Sequence, residues 1–254
     1  MKKVRKSPMI PQALTDYVVA NPNADWEDFR NETANGYTVV KQQLTADQRG
    51  LCAYCEIDLH IHAQNGLDDF RVEHFHPKKP HNPPPNHALE WQNLLAVCTG
   101  GNIRDLEIRE RFTSPDHSCD VPKANYNWTS QIFNPLTLPA FPCLFSFNEN
   151  TGEILVDIKS CPDESRTVAN ETIKLLRLSA PRLNRLRQPV FEMLNARLQE
   201  LVSNGFTIEA ASVLIAEELL PEQDSVSLPA FFTAIRWYLG EAAEQRLKTI
   251  GYDG

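Results

Sequence analysis

No run of apolar residues in this 254-residue chain reaches the about 18 that a membrane-spanning helix needs, so no helical span is expected. The N-terminal Met1-Lys-Lys-Val-Arg-Lys-Ser-Pro carries charge with no apolar segment behind it, which argues against a secretory leader. Cysteine is sparse as well: six residues are too few for a disulfide scaffold, and their clustering points to metal and to a cytoplasmic protein. A basic excess is missing. With 25 Lys and Arg against 33 Asp and Glu, the net charge of −8 argues against a protein that grips nucleic acid over its whole surface. Any such contact must come from a local patch or a partner. Internal repeats and low-complexity segments are absent too. What remains is an ordinary soluble composition, 42% hydrophobic, at a length that suits one large domain or two small ones.

The chain divides into an N-terminal arm and helices over residues 1–44, an irregular central region with a following hairpin over 45–160, and a helical region over 161–254. Lys2, Lys3, Arg5 and Lys6 read as a frayed tail or an extended basic arm. Residues 14–20, 26–31 and 37–44 have the apolar spacing of short helices, with Asp25 as N-cap of the second. Thr45 fits an N-cap and Gly50 a helix stop. The proline-rich run at residues 81–86 reads as a loop. Residues 144–147 and 154–158 read as two strands joined through Asn150-Thr-Gly152. Helices are expected over 167–178, 181–203 (with a kink at Pro189 and a stop at Gly205), 208–220 and 228–250, a four-helix C-terminal region.

Residues 52–123 carry the unusual chemistry. Cys52-x-x-Cys55 can present two thiolates to one metal from a single turn, and Cys98 and Cys119 can close a tetrahedral structural zinc site. Cys98-Thr-Gly-Gly101 has no second cysteine, so the fourth ligand is Cys119 or His117. Cys143 and Cys161 have no partner at ligand spacing and read as packed small hydrophobes. Between the cysteines lie Val72-Glu73-His74-Phe75-His76-Pro77-Lys78, at the end of a short strand, and Trp91-Gln-Asn93-Leu-Leu. Histidine beside carboxylates suits a general base next to a hard divalent cation.

Taken together, Cys-x-x-Cys, Glu-His-x-x-Pro-Lys, Trp-x-Asn-Leu-Leu and the later Cys-Asp-x-x-Lys resemble the HNH (ββα-metal) endonucleases. More closely, they resemble the PtuB-like HNH subunit of Septu-type antiphage systems and of the related retron Ec78-type effectors. The resemblance covers about residues 45–180, including Asn134-Pro135-Leu136 and the hairpin, and is only general beyond. It implies an α+β fold: a zinc-stabilised ββα-metal module with an N-terminal helical lead and a mostly helical C-terminal region. It makes His74 the general base, Glu73 an acidic ligand of a catalytic Mg²⁺ or Mn²⁺, and Asn93 the residue that orients the base. Asp120 stands where the family usually has His or Asn and would complete the catalytic metal site; Lys123 would contact the scissile phosphate. His76 is an additional candidate ligand. The implied activity is metal-dependent phosphodiester hydrolysis in antiphage defence. The implied partners are a PtuA-like ATPase and, in the retron case, a reverse transcriptase with its msDNA. The rival readings are an inactive zinc-bearing scaffold or recognition subunit and an RNase toxin acting on tRNA. Nothing in these residues reads a 2′-hydroxyl, so DNA and RNA stay equal.

Elsewhere, His60, His62, His81 and His87 read as surface histidines. Lys78 and Lys79 can face phosphates or solvent. Arg177, Arg182, Arg185 and Arg187 form the best basic patch, for nucleic acid or an acidic partner. Phe231, Phe232, Trp237 and Tyr238 read as core or interface.

Overall fold

The computed structural model describes residues 1–60, 69–79, 86–101, 116–222 and 227–254. His62, His81 and most of the proline-rich run lie outside these residues. Helices α1 (Gln12–Ala20), α2 (Trp26–Glu32) and α3 (Gly36–Asp47) open the chain. The Asp25 carboxylate caps α2 by accepting from the Glu27 and Asp28 amides, and Asp28 reciprocates to the Asp25 amide, a full capping box. Thr45 is not an N-cap: α3 runs through it, and its hydroxyl donates to the Lys41 carbonyl at 2.8 Å. The helix continues because Val40, Lys41 and Leu44 keep one buried face. It closes at Gly50, φ 79°, whose amide donates to the Thr45 carbonyl at 2.9 Å.

The N-terminal arm is neither frayed nor free. Val4 donates to the Pro135 carbonyl at 2.9 Å, Lys2 is 4% exposed, and burial brings its amine down to about 8. Lys6 lies 4.3 Å over the Trp91 ring and donates to the Trp91 carbonyl; burial brings it down to about 7. These amines are spent inside the protein, and Lys3 on Asp253.

Strand β1 (Phe70–His74) pairs antiparallel with β2 (Leu94–Cys98), from Phe70↔Cys98 to His74↔Leu94. All five β2 residues are buried. The Gln48 side chain serves the other edge of β2: its amide nitrogen donates to the Ala96 carbonyl and its oxygen accepts from the Ala96 amide, both at 2.7 Å. One glutamine thus completes the ladder where a third strand would lie. Then comes α4 (Asp120–Lys123), a single turn. Hairpin β3 (Phe145–Phe147) and β4 (Ile154–Val156) follows as expected.

The C-terminal region holds five helices among the described residues rather than four: α5 (Asp163–Leu175), α6 (Pro181–Ser203), α7 (Ile208–Leu219), α8 (Phe232–Leu239) and α9 (Glu241–Thr249). The single helix expected over 228–250 is broken at Gly240, φ 55°. Across that break Arg236 of α8 clasps Glu244 of α9 at 2.5 and 2.8 Å. The expected basic patch dissolves as well. Arg182 and Arg187 are 1% and 2% exposed, which leaves Arg177 and Arg185 at the surface. Phe191, Phe147 and Trp237 pack ring against ring in one core that reaches from Met1 to Tyr252.

Candidate active site and metal cluster

The two cysteine pairs meet. Cys52 and Cys55 flank the Ala53-Tyr54 turn, Cys98 ends β2, and Cys119 precedes α4. The sulfurs of Cys52 and Cys119 lie 3.9 Å apart, those of Cys55 and Cys98 3.6 Å, and those of Cys98 and Cys119 3.7 Å. A tetrahedral zinc with Zn–S bonds of about 2.3 Å needs sulfur–sulfur edges of about 3.8 Å, so the quartet fits that ion. All four are buried, and the Cys98 amide donates to the Cys52 sulfur at 3.3 Å. Burial pushes the Cys52 and Cys119 thiols up, whereas hydrogen bonds from neighbouring thiols hold Cys98 down and, against burial, Cys55 well down. A bound dication would favour the thiolate form of all four. His117 is not in the cluster.

Gly100 makes the closure possible. At φ 62° its backbone passes so near residues 118–121 that an added Cβ would lie 2.3 Å from the Ser118 carbonyl oxygen. The Gly100 carbonyl accepts from the Ser118 amide at 3.0 Å, and the Cys119 amide donates to the Leu176 carbonyl at 2.8 Å. Cys119 itself sits at φ 61°. From α6, Arg182 reaches Ser118 Oγ at 2.6 Å; burial opposes its charge, but the thiols beside it hold the guanidinium's pKa above its usual value.

Next to this cluster, β1 and α4 bring together Glu73, Asp120, Lys123 and Arg71. Side chains alternate on a strand, so Arg71 and Glu73 share the face toward α4. Lys123 Nζ lies 2.7 Å from Glu73 Oε1 and donates to the His74 carbonyl at 2.9 Å. Arg71 holds Asp120 bidentately, at 2.5 and 2.9 Å. Burial raises the Glu73 carboxyl to about 7, with Lys123 opposing, and also raises Asp120 against the pull of Arg71.

The His74 ring lies on the other face. It meets Trp26 of α2 edge-on at 5.0 Å, and its Nε2 is 3.0 Å from the Ala88 carbonyl. A carbonyl only accepts, so Nε2 carries the proton and Nδ1 the lone pair. Burial lowers the imidazole to about 4. Asn93 braces the loop between the strands: its Oδ1 accepts from the His76 amide at 2.6 Å, and its Nδ2 donates to the His76 and His87 carbonyls at 2.8 and 2.7 Å. That clamp stacks the two imidazoles, centroids 3.8 Å apart, on a cavity of about 400 Å³. His87 is therefore more than a solvated surface histidine. Lys78 and Lys79 pair with Glu27 and Asp25 of the α2 region, at 2.7 and 3.6 Å.

Sequence reasoning passed over Arg71 and Trp26. Arg71 has a signal, two residues before Glu73 on the same strand face; Trp26 has none, since it arrives from a distant helix.

Two strands, a one-turn helix and a four-thiol cluster beside paired carboxylates are the features on which comparison with known proteins turns. No family model matches the chain. It is 36% identical over 210 residues to an Escherichia coli protein assigned as the HNH endonuclease of retron Ec83, a match covering 74% of this chain and 78% of that protein. The chain belongs to the HNH endonucleases of retron type. Among the described residues no helix is long and apolar enough to cross a membrane.

Proposed function

We propose that this chain is the nuclease subunit of a Septu-like, retron-type antiphage complex in the cytoplasm, hydrolysing phosphodiester bonds at a ββα-metal module made of β1, β2 and α4. The observation that carries the reading is the meeting of Glu73, Asp120 and Lys123 beside four buried thiols, in a chain of the HNH endonuclease family. In this reading the thiols hold zinc and keep α4 against β1. Glu73 and Asp120 are hard oxygen donors of the kind that hold Mg²⁺ or Mn²⁺. When bound, such an ion would supply charge stabilisation at the phosphate and leaving oxygen.

The protein's own residues do the rest. In this reading the base is His74, neutral at physiological pH and the last residue of β1, where side chains of both strand faces can still reach one phosphate; its Nδ1 would take the proton of the attacking water, and the Ala88 carbonyl fixes its tautomer. Asn93 holds the backbone that follows His74. Lys123 and Arg71 neutralise the carboxylates in the resting protein, and in this reading they would meet phosphate charge once an ion takes the carboxylates. A partner ATPase, with reverse transcriptase and msDNA in the retron case, would present the nucleic acid. The internal use of Lys2, Lys6, Arg182 and Arg187 favours that arrangement, because among the described residues it takes four cations out of the surface of an acidic chain.

The test is incubation of the purified complex with Mg²⁺ against phage DNA and total RNA. Cleavage should be abolished in His74→Ala, with zinc content and thermal unfolding unchanged enough to show a folded protein. Undiminished turnover by that variant removes His74 as the base; no cleavage by the parent complex turns the chain into a zinc-bearing scaffold.

A further inference from the structure

One turn beyond the site, the chain presents an aromatic ring, that of Tyr126, that core packing does not explain. Tyr126 is 64% exposed, and its ring lies parallel to that of Trp128, 7° between planes and 5.9 Å between centroids. Trp128 is partly buried against the hydrophobic core, so the column has an anchored base and an open outer layer. The geometry is an offset stack, the arrangement aromatic quadrupoles favour. Its position is set by α4: the Tyr126 amide donates at 2.9 Å to the carbonyl of Lys123, three residues earlier, whose side chain grips Glu73 and the His74 carbonyl. From the residue between Tyr126 and Trp128 in sequence, Asn127 Nδ2 lies 3.4 Å from His76 Nε2. The aromatic column is thereby joined to the stacked His76–His87 pair and to the cavity of about 400 Å³ that they line with Gln92, Asn134 and Thr137.

We infer that Tyr126 and Trp128 form a stacking platform for an unpaired nucleobase. The substrate class is then single-stranded nucleic acid, or an unpaired loop or end, rather than continuous duplex. The inference rests on the nuclease reading and narrows it. A π-face accepts any base, so the platform is tolerant of sequence. A base inside a duplex has both faces covered by its neighbours and cannot use it. The amide and hydroxyl side chains of the adjoining cavity offer donors and acceptors for an exposed base edge.

The experiment is fluorescence anisotropy with the full-length protein in buffer without added divalent ion, so that binding is read apart from cleavage. The probes are labelled oligo-dT and oligo-rU of about 12 nucleotides, the scale of one single-strand site, and a duplex of equal length. At least one single strand should bind about tenfold more tightly than the duplex; the dT and rU arms say whether DNA, RNA or both are taken. Tyr126→Ala should weaken single-strand binding by about five- to a hundredfold, the range expected for loss of one base–aromatic stack, while Tyr126→Phe keeps it. Trp128→Leu, checked for zinc content and melting temperature, should weaken it similarly. Equal or tighter duplex binding, or a Tyr126→Ala affinity equal to the parent's, overturns the platform. Failure here and failure of the nuclease reading are separable: single-strand binding without Mg²⁺-dependent cleavage sinks only the latter, and cleavage with Tyr126→Ala binding unaltered sinks only the former.

Discussion

Adjacent on one strand, Glu73 and His74 are displaced in opposite directions by the same cause, burial. The carboxyl rises from 4.5 to about 7, and the imidazole falls from 6.5 to about 4. Between about pH 4 and 6.5 the unfolded chain binds a proton at His74 that the folded one refuses, so this residue's contribution to stability is lost as pH falls. Between 4.5 and about 7 the folded chain keeps a proton on Glu73 that the unfolded one releases, so that contribution is lost as pH rises. Over the shared window the two slopes cancel. Urea unfolding of Glu73→Gln should therefore show stability rising with pH across that window relative to the parent, and His74→Gln the reverse, each by about 2 to 3 kcal/mol. Parallel curves for all three proteins would remove both shifts. The identities of these residues were legible in the sequence because Glu-His-x-x-Pro-Lys is a dense signal. Their separation to opposite faces was implied by strand alternation. The Lys123 and Arg71 pairs on the carboxylates were not, because they depend on how α4 docks.

At the scale of elements, the short helix α4 has too few residues to hold itself in place and is positioned by what surrounds it. Gly100 is part of that mould, although it ligates nothing. Gly100→Ala places a methyl group where the Ser118 carbonyl and the Val121 side chain stand, at a φ that side chains disfavour. We expect a loss of about 2 to 4 kcal/mol in stability, with zinc content and cleavage falling together, measured by thermal unfolding and metal analysis. Gly205→Ala meets no atom and should cost only its φ strain. Elements with local punctuation were readable: α6 begins at Pro181 and ends two residues before Gly205, and the hairpin turns at Asn150-Thr-Gly152. The break between α8 and α9 was not, since Gly240 sits in an otherwise continuous amphipathic pattern. Nor was the fate of the basic arm, because nothing within Met1–Lys6 announces Trp91 or Pro135 as its neighbours.

At the scale of the molecule, the C-terminal helices are built into the cysteine cluster. The Leu176 carbonyl takes the Cys119 amide, Arg182 reaches Ser118 beside the thiols, and Thr233 of α8 binds Glu56, the residue after Cys55. Second-layer contacts of this kind commonly alter metal affinity by about 10- to 100-fold. Arg182→Met should release zinc to a chromophoric chelator about tenfold faster than the parent; an unchanged rate would make the arginine a packing residue only. Chelation should also melt the helical signal in one transition rather than leave the C-terminal helices folded, as followed by circular dichroism. This coupling is invisible in sequence, where the arginines of 177–187 form a cluster by spacing alone.

The Glu56–Thr233 contact carries one more consequence, for the order in which the protein comes to exist. It joins residues 177 apart, and the sulfurs of Cys52 and Cys119 are 67 apart. Contacts of such range are entropically late, and a chain emerging from the ribosome cannot make them early. The first two thiols must wait, reduced, for the third and fourth, and Cys119 finds its backbone partner only when Leu176 has been made. The full set of contacts around the thiol cluster therefore forms only once Thr233 has been made.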